Sequence, residues 1–434
     1  MKCASLVFLL LALLAASTAT GAAASPTPVA ATNLNDIAEA YVKLVLAIGQ
    51  HDADYVDAYY GPPEWKKQPK KPLDTIALEA ARLRDQLAKI SAPTDEMERL
   101  RLAYLTKQLS ALQARVRILK GEHLKFDEES QALYDAVAPT FSESHFEEIL
   151  AKLEEKLPGE GTLLQRYENW RRAFVIPKDK LDTVFQLAIK ACRERTLAHI
   201  KLSPNENFTV EYVTNKPWGG YNWYKGNYRS IIQVNTDLPV YIDRAIDLAA
   251  HEGYPGHHVY NALLEKNLVR DRGWIELSVY PLFSPQSLIA EGTANFGKEV
   301  VFTKAERLAF EKEMLWPAAG IDSSRAEEFY AVQDLVKQLN YATNEAARRY
   351  VNGEIETNAT AAWLEKYALM DEKRAKQSAR FIEKYRSYVI NYNLGEDMVR
   401  SYIEKRGGTE QEPEKRWGEF QQLLASQRLP GDIR

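Results

Sequence analysis

Apolar residues recur every three or four positions along most of this chain, the spacing that places side chains on one face of an α-helix. One such stripe, in the stretch 95–120, consists of Met97, Leu100, Tyr104, Leu105, Leu109, Leu112, Val116 and Leu119. The periodic stretches cover about 34–49, 73–90, 95–120, 127–137, 144–157, 161–175, 178–202, 240–254, 285–315, 322–352, 358–394 and 414–427. The pattern predicts a mainly α fold, a large multi-helix body around a cleft.

The segment 206–239 interrupts this helical pattern. Its sequence, ENFTVEYVTNKPWGGYNWYKGNYRSIIQVNTDLP, has period-two runs of aromatic and β-branched residues and contains Gly219-Gly220. Alternation of this kind indicates strands, so we predict one small antiparallel β-sheet before the next helix. Its aromatic residues either pack the sheet or wall a substrate cleft: Trp218, Tyr221, Trp223, Tyr224 and Tyr228.

The N-terminus has the pattern of an exported protein. Residues 1–24 contain one lysine, an apolar run and the small residues Ala22-Ala23-Ala24, an order typical of a secretory signal peptide. The apolar run is shorter than the roughly 20 residues of a membrane-spanning helix, and no later segment qualifies. We therefore predict a signal peptide at 1–24, a flexible leader at 25–33 and one helical domain at 34–434. The protein is expected to be secreted or periplasmic, without a membrane span.

The charge and the cysteine content argue against a nucleic-acid-binding protein and against a protein held together by disulfides. The 56 basic and 60 acidic residues give a net charge of -4, so no overall basic field is available and a nucleic-acid partner is not expected. After removal of the signal peptide one cysteine remains, Cys192, which lies at helical spacing among apolar residues. We expect no internal disulfide and a buried thiol.

Three of the seven histidines lie in the segment HEGYPGHH, at residues 251–258. In a helical HExxH, two imidazoles one turn apart bind one zinc ion at about 2.0–2.1 Å. Here Pro255 stands where the second histidine would, and it should break the helix. A continuous helix would separate His251 and His258 by about 10.5 Å, whereas a bend at Pro255-Gly256 brings His257 or His258 back towards His251. The spacing leaves that choice open, and histidines that merely cap a bent helix are an alternative.

Glu291 offers a third metal ligand. It follows Leu288-Ile289-Ala290 on a predicted helix, and its distance from His257 along the chain, 291 − 257 = 34 residues, allows a separate helix to return. Two histidines and a glutamate, with a fourth position left for water, form a catalytic rather than a structural zinc site. A glutamate on the helix surface is the alternative.

These residues carry a resemblance to a known family. HEGYPGHH followed by AEGTANFG resembles the paired motifs of the bacterial "domain of unknown function 885" proteins, thought to be helical zinc peptidases related to the glutamate-zincins. A C-terminal piece, RSYVINYNLG at 386–395, is similar to the family's Arg and Tyr-x-x-Gly region. The resemblance implies zinc bound by His251, His257 and Glu291, with Glu252 as general base. Thr293 stands where many members have tryptophan, so the floor of the pocket should differ.

Other side chains are candidates for supporting roles. Tyr392, His258 or Arg386 could donate a hydrogen bond to the oxyanion, although ordinary packing or ion pairing is an equal alternative for each. Asp247 lies four residues before His251 and, on an α-helix, could orient that imidazole. A solvated helix face is the alternative for Asp247.

Together these patterns predict an exported zinc metallohydrolase with a peptide substrate. Zinc would activate a water molecule while Glu252 takes its proton and delivers it to the leaving amine. A zinc hydrolase of a non-peptide amide or ester, and a catalytically inactive binding protein, are the two alternatives. The sequence carries no signal of oligomeric state.

Overall fold

Helices dominate residues 33–434, the part of the chain that the computed structural model describes. The first half contains α1 (Leu34–Gly49), α2 (Leu73–Leu87), α3 (Glu96–Leu119), α4 (Phe126–Tyr134), α5 (Glu143–Lys156), α6 (Leu163–Arg171) and α7 (Leu181–His199). The second half contains α8 (Asp243–Leu248), α9 (His257–Leu264), α10 (Pro285–Val301), α11 (Lys304–Phe310), α12 (Trp316–Ala319), α13 (Ala326–Gln338), α14 (Tyr341–Val351), α15 (Thr357–Tyr367), α16 (Glu372–Tyr385), α17 (Ile390–Lys405) and α18 (Pro413–Leu424). The predicted mainly α fold is confirmed.

The described residues form one compact unit. The predicted signal peptide and residues 25–32 of the predicted leader lie outside the described residues. None of the described helices is both long and apolar enough to cross a membrane. Cys192 is buried in α7 and free, as its spacing predicted.

Helix boundaries differ from the periodic stretches at turns that periodicity does not show. The predicted stretch 285–315 is divided between α10 and α11, and Thr303, between them, caps the N-terminus of α11 by accepting a hydrogen bond from the Glu306 amide. Helix α9 lies outside every predicted stretch because its short sequence is buried on nearly all sides. A helix without a polar face has no amphipathic period to detect.

The predicted antiparallel sheet is mixed. Its strands are β2 (Asn207–Val213), β3 (Gly220–Gly226) and β4 (Arg229–Asn235), in the order β2-β4-β3. Strands β3 and β4 are antiparallel, joined by Asn227 and Tyr228 with φ of 54° and 60°, a conformation typical of tight hairpin turns. Strand β2 lies on the other side of β4 and runs parallel to it, so this part of the prediction was wrong.

A second, two-stranded sheet was not predicted. It pairs β1 (Val56–Tyr59) with β5 (Val279–Pro281) in antiparallel register. Strands of 4 and 3 residues are too short to give a period-two signal. The pairing nevertheless brings an N-terminal segment against the middle of the chain.

The packing of α10 against α17 depends on two glycines. A Cβ on Gly292 would lie 2.4 Å from the carbonyl oxygen of Gly395, and a Cβ on Gly395 would lie 2.7 Å from that of Leu288. The obstructing atoms are backbone, which cannot rotate away. The two helices therefore approach as closely as they do because neither carries a side chain at the crossing.

We expect Gly395→Ala to lower the free energy of unfolding by about 1–3 kcal/mol, the usual cost of forcing an extra carbon into a packed interface. Urea unfolding followed by circular dichroism measures the change. Gly418→Ala is the matched control, because Gly418 lies inside α18 with no atom within 4 Å of its added Cβ. There alanine should be neutral or stabilising by up to about 1 kcal/mol. Equal losses in both variants would contradict the close-contact argument.

Candidate metal centre

A break in the helix places the two histidines of the site. Helix α8 continues as a π-helical segment, Ala249–Gly253, and α9 begins at His257. Between them Gly256 folds back on the preceding turn, where its amide donates to the carbonyl of Ala250 at 2.8 Å. A Cβ on Gly256 would lie 1.9 Å from the carbonyl oxygen of His251. Only glycine fits this bend, which sets His257 beside His251.

Three potential ligand atoms converge at this bend. His251 Nε2 and His257 Nε2 are 3.1 Å apart, and Glu291 Oε2, from α10, lies 3.3 and 3.7 Å from them respectively. Ligand atoms held at 2.0–2.1 Å around a tetrahedral zinc ion would be about 3.3–3.4 Å from one another. The separations of the three atoms therefore fit one small tetrahedral cation.

The carboxylate of Glu291 has one oxygen satisfied by the protein and one not. Oε1 accepts a hydrogen bond from the Tyr388 hydroxyl at 2.8 Å. Oε2 is buried with no hydrogen-bond partner among the described residues. A buried polar atom without a partner is costly, and this one faces two imidazole nitrogens. The donor chemistry, two imidazoles and a carboxylate, is that of catalytic zinc sites.

The charges of these groups support one another. Burial acts to raise the pKa of Glu291, but His257 and His251 outweigh it and hold the pKa well below its usual range. Burial likewise acts to lower the pKa of His257, and the Glu291 carboxylate reverses this and raises it to about 9. The opposite charges stabilise each other across a largely buried space.

Asn295, rather than the predicted Asp247, orients His251. The side-chain amide of Asn295 donates to the carbonyl of Tyr392 at 3.1 Å, which turns its oxygen towards His251 Nδ1, also at 3.1 Å. This arrangement favours a proton on Nδ1 and leaves Nε2 free as a ligand. Asp247 instead accepts from Arg307 at 2.9 Å. The prediction assumed α-helical spacing, whereas a π-helical segment contains His251 and changes which residues align.

His258 points away from the ligand atoms, so of its two predicted alternatives the structure favours packing over a hydrogen bond to the oxyanion. The ring is fully buried and lies between Ser230 Oγ, 2.9 Å from Nδ1, and Glu206 Oε2, 3.0 Å from Nε2. Glu206 also accepts from the Tyr254 hydroxyl at 2.6 Å. His258 thus ties the Tyr254-Pro255 bend to strand β4 and stabilises its position.

Arg386 is likewise not available to a substrate. Its Nε donates to Glu129 at 2.6 Å, and that glutamate is buried in α4. Arg386 is not among the residues that line the cleft. Its guanidinium therefore has the ion-pairing role that was the alternative to stabilising an oxyanion. Tyr392 does line the cleft. Burial, with the charges of Glu291 and Glu252, raises its pKa well above the usual value, so its hydroxyl keeps its proton at neutral pH.

Glu252 is 4% exposed and lines the cleft next to His251. Strand β3 makes room for it: a Cβ on Gly220 would lie 2.8 Å from Glu252 Oε1. The side chain of Asn222 donates to the Glu252 carbonyl at 2.7 Å. Burial raises the pKa of Glu252, while the neighbouring charges of His251 and His257 oppose that change. Strand β3 thus borders this carboxyl in the cleft that the three ligand residues also line.

Three residues of the site were missed by sequence reasoning. Tyr388 lies one helical turn before Tyr392, and Asn295 one turn after Glu291, so helical spacing from the predicted residues could have found both. Asp57 had no such signal, because β1 reaches the site through its pairing with β5. Asp57 accepts a hydrogen bond from Tyr221, and burial raises its pKa to about 6.

The ligand atoms open onto a cleft of about 900 Å³. Of the five aromatic residues whose role was left open, Trp218 and Tyr221 line the cleft, whereas Trp223, Tyr224 and Tyr228 do not. Tyr385 and Phe381 from α16 contribute further aromatic surface. The candidate metal ligands therefore share their cleft with these four aromatic side chains. The volume of the cleft is in the range that organic ligands occupy.

We expect His258→Ala to lower the free energy of unfolding by about 1–3 kcal/mol, because it leaves buried polar partners unsatisfied. Urea unfolding measures this loss. His123→Ala is the matched control: His123 is exposed, and its removal should change stability by no more than about 0.5 kcal/mol. A His258→Ala protein as stable as the control would refute the structural role given to this ring.

Comparison with known proteins adds evidence on the fold. No family model and no curated protein sequence matches the chain. Among solved structures, the chain is similar to a Colwellia psychrerythraea protein that carries the provisional description of a lipoprotein, with a TM-score of 0.53 and 12% sequence identity. The similarity covers 82% of this chain and 65% of that protein. At this identity the similarity shows a shared fold and nothing about substrate.

Proposed function

We propose that this protein is a zinc-dependent hydrolase and that its substrate is a peptide. The observation that carries the proposal is the convergence of His251 Nε2, His257 Nε2 and Glu291 Oε2 within 4.8 Å of one another at a cleft. The resemblance of HEGYPGHH and AEGTANFG to the zinc peptidase family described above supports the same assignment. The predicted signal peptide supports an exported protein.

His251, His257 and Glu291 would hold the metal. Zinc bound there supplies Lewis acidity, which polarises a carbonyl and makes water a better nucleophile at neutral pH. Asn295 keeps the His251 ring in the orientation that presents Nε2, and Tyr388 fixes the Glu291 carboxylate through its other oxygen. Two ligands are therefore prearranged by their neighbours.

Glu252 is the general base in this proposal. Glu252 directly follows His251 in the chain and lines the same cleft as the ligand atoms, in which the attacking water and the leaving amine would lie. It would accept a proton from the attacking water and pass it to the leaving nitrogen. The nearby strand β3 limits how far this side chain can move.

Tyr392 is the candidate donor to the developing oxyanion. It lines the cleft, and its hydroxyl donates to no described residue. A tyrosine hydroxyl is protonated at neutral pH, and burial only raises its pKa further, so it can donate a hydrogen bond as negative charge develops. Tyr388 is already committed to Glu291, which distinguishes the two tyrosines.

We expect purified protein to contain about one zinc ion per chain, the number that a single catalytic site requires. A chelator should abolish hydrolysis of a mixed peptide library, and added zinc should restore it. Elemental analysis and peptide mass spectrometry measure both. Protein purified without chelator that is free of metal yet active would contradict the zinc assignment, and activity confined to esters or non-peptide amides would contradict the peptide substrate.

A pair of glutamate variants separates metal binding from proton transfer. Glu252→Gln should keep its zinc while turnover falls by about 10²-fold or more, since the base is lost but not a ligand. Glu291→Ala should lose zinc affinity and activity together. Zinc titration and steady-state kinetics give both quantities. Equal zinc affinity in the two variants, or substantial turnover by Glu252→Gln, would show that these roles are assigned wrongly.

A further inference from the structure

One carboxylate of the cleft has no cation paired with it. Asp57 lines the cleft, and its Oδ1 accepts a hydrogen bond from the Tyr221 hydroxyl. Its other oxygen, Oδ2, accepts from no described residue and is not fully enclosed by the protein. Asp54, three residues earlier, pairs with Lys384 at 2.9 Å, whereas Asp57 forms no ion pair with any residue that the structure describes. One oxygen of Asp57 is therefore open to a ligand in the cleft.

A β-bulge places Asp57 at this position. The two residues of β1 that flank Asp57 are paired with adjacent residues of β5, so Asp57 is the extra residue of its strand. A bulge of this kind changes the direction of a side chain, and bulges are frequent beside active sites. The helix that follows β5 is α10, which carries Glu291. The same strand pairing thus connects Asp57 to the start of the helix that supplies a metal ligand.

The charged groups that act most on Asp57 belong to the candidate metal centre. Burial raises the pKa of Asp57 to about 6, and the hydrogen bond from Tyr221 opposes that change. The charges that act on this pKa are those of His257, Glu291 and Glu252, and no lysine or arginine is among them. With zinc bound by neutral imidazoles, the three carboxylates would exceed the charge of the ion by one unit. This end of the cleft therefore favours one further positive charge.

The basic side chains that line the cleft face other acids. They pair as follows: Arg244 and Arg307 with Asp247, Lys304 with Asp334, Lys337 with Glu396, Arg374 with Asp371, and Arg416 with Glu404. Burial acts to raise the pKa of Asp247, and Lys298 has the charge that lowers it most. Arg244 also acts on the pKa of Glu252, but less than burial and the metal-ligand residues do. None of these cations therefore serves as the partner of Asp57.

Acceptors rather than donors are left without partners beside the ligand atoms. Asn222 is 8% exposed and lines the same cleft. Its Nδ2 donates to the Glu252 carbonyl at 2.7 Å, and its Oδ1 has no partner among the described residues. Glu291 Oε2 is a second such atom, and zinc would bind it. A ligand that complements this end of the cleft should therefore bring hydrogen-bond donors.

We infer that Asp57 is the anion of a subsite that binds an ammonium group of the substrate. An ammonium group donates three hydrogen bonds and accepts none, so it matches a carboxylate oxygen that has no donor. Aromatic faces also attract such cations, and Tyr221 and Trp218 line the cleft with ring centroids 5.2 Å apart. The substrate class is a peptide with an ammonium group near the cleaved bond, either the N-terminal amino group or a lysine side chain. The link to cleavage rests on the proposed function, whereas the ammonium preference does not.

Peptide binding tests this subsite without relying on turnover. Three alanine hexapeptides with C-terminal amides are compared: one with a free N-terminus, one acetylated, and one acetylated with lysine at its first position. Isothermal titration calorimetry with zinc-loaded Glu252→Gln protein at neutral pH gives the dissociation constants, and kcat/KM of the wild-type protein gives the same comparison with Glu252 present. We expect the better ammonium-bearing peptide to bind about tenfold more tightly than the neutral peptide, as one charge-assisted hydrogen bond provides. The preference should shrink as salt is raised.

Variants assign the preference to Asp57. Asp57→Asn keeps the size of the side chain and an oxygen that can accept from Tyr221, but it removes the charge, so the tenfold preference should fall to about twofold. Tyr221→Phe keeps the charge and removes the hydrogen bond that fixes the carboxylate, so the preference should fall about threefold. Asp54→Asn is the matched control, because Asp54 pairs with Lys384 and lies outside the cleft lining. It should leave the preference unchanged.

The outcomes separate this inference from the proposed function. No ammonium preference, or one that persists in a folded Asp57→Asn protein, would overturn the subsite even if zinc and peptide hydrolysis are found. If Asp57→Asn does not fold, a preference that neither Tyr221→Phe nor salt reduces would overturn it. A chain that binds no zinc is titrated as wild type, and a preference that depends on Asp57 there would support the subsite and refute the hydrolase. The tighter of the two ammonium-bearing peptides identifies the N-terminus or the lysine side chain as the ligand.

Discussion

The close approach of α10 and α17 is the constraint on which the site depends. At Gly292 and Gly395 the two backbones come together so closely that neither residue can carry a Cβ without a clash. Glu291 is the immediate neighbour of one of these glycines, and Tyr392 lies three residues before the other. The crossing therefore sets the distances over which Tyr388 reaches Glu291 and Asn295 reaches the Tyr392 carbonyl. The same two glycines thus allow the close packing of α10 against α17 and place the hydrogen-bonding groups of the site.

The bend between α8 and α9 is a second constraint, and it positions His251 and His257 as the helix crossing positions Glu291. Gly256 brings the start of α9 against the carbonyls of Ala250 and His251, which no larger residue allows. The buried contacts of His258 with Ser230 and Glu206 then stabilise the bend from behind. Adjacent histidines thus have opposite roles: His257 faces the cleft, and His258 faces the core.

Features of this structure that depend on residues close together in the sequence could be predicted, and features that depend on residues far apart in the sequence could not. Helical periodicity and the Pro255 break are local, so the sequence indicated the mainly α fold and a bend between His251 and His257. The choice between His257 and His258 depends on which side of the bend the core lies, and spacing does not contain that information. The partner of the His251 ring is Asn295 and not the predicted Asp247, because the π-helical segment that contains His251 changes which side chains align with it. The parallel β2 and the position of Asp57 depend on long-range pairing between strands, which a short alternating pattern does not encode.

The site draws its groups from the two ends and the middle of the chain, between Asp57 in β1 and Tyr392 in α17. During synthesis from the N-terminus, both histidines emerge from the ribosome before Glu291, and Tyr388 follows almost a hundred residues later still. For that interval the nascent polypeptide holds two imidazoles without the tyrosine that orders their carboxylate partner. A chain that ends before Tyr388 would therefore contain both histidines and Glu291 but lack the hydroxyl that holds the Glu291 carboxylate.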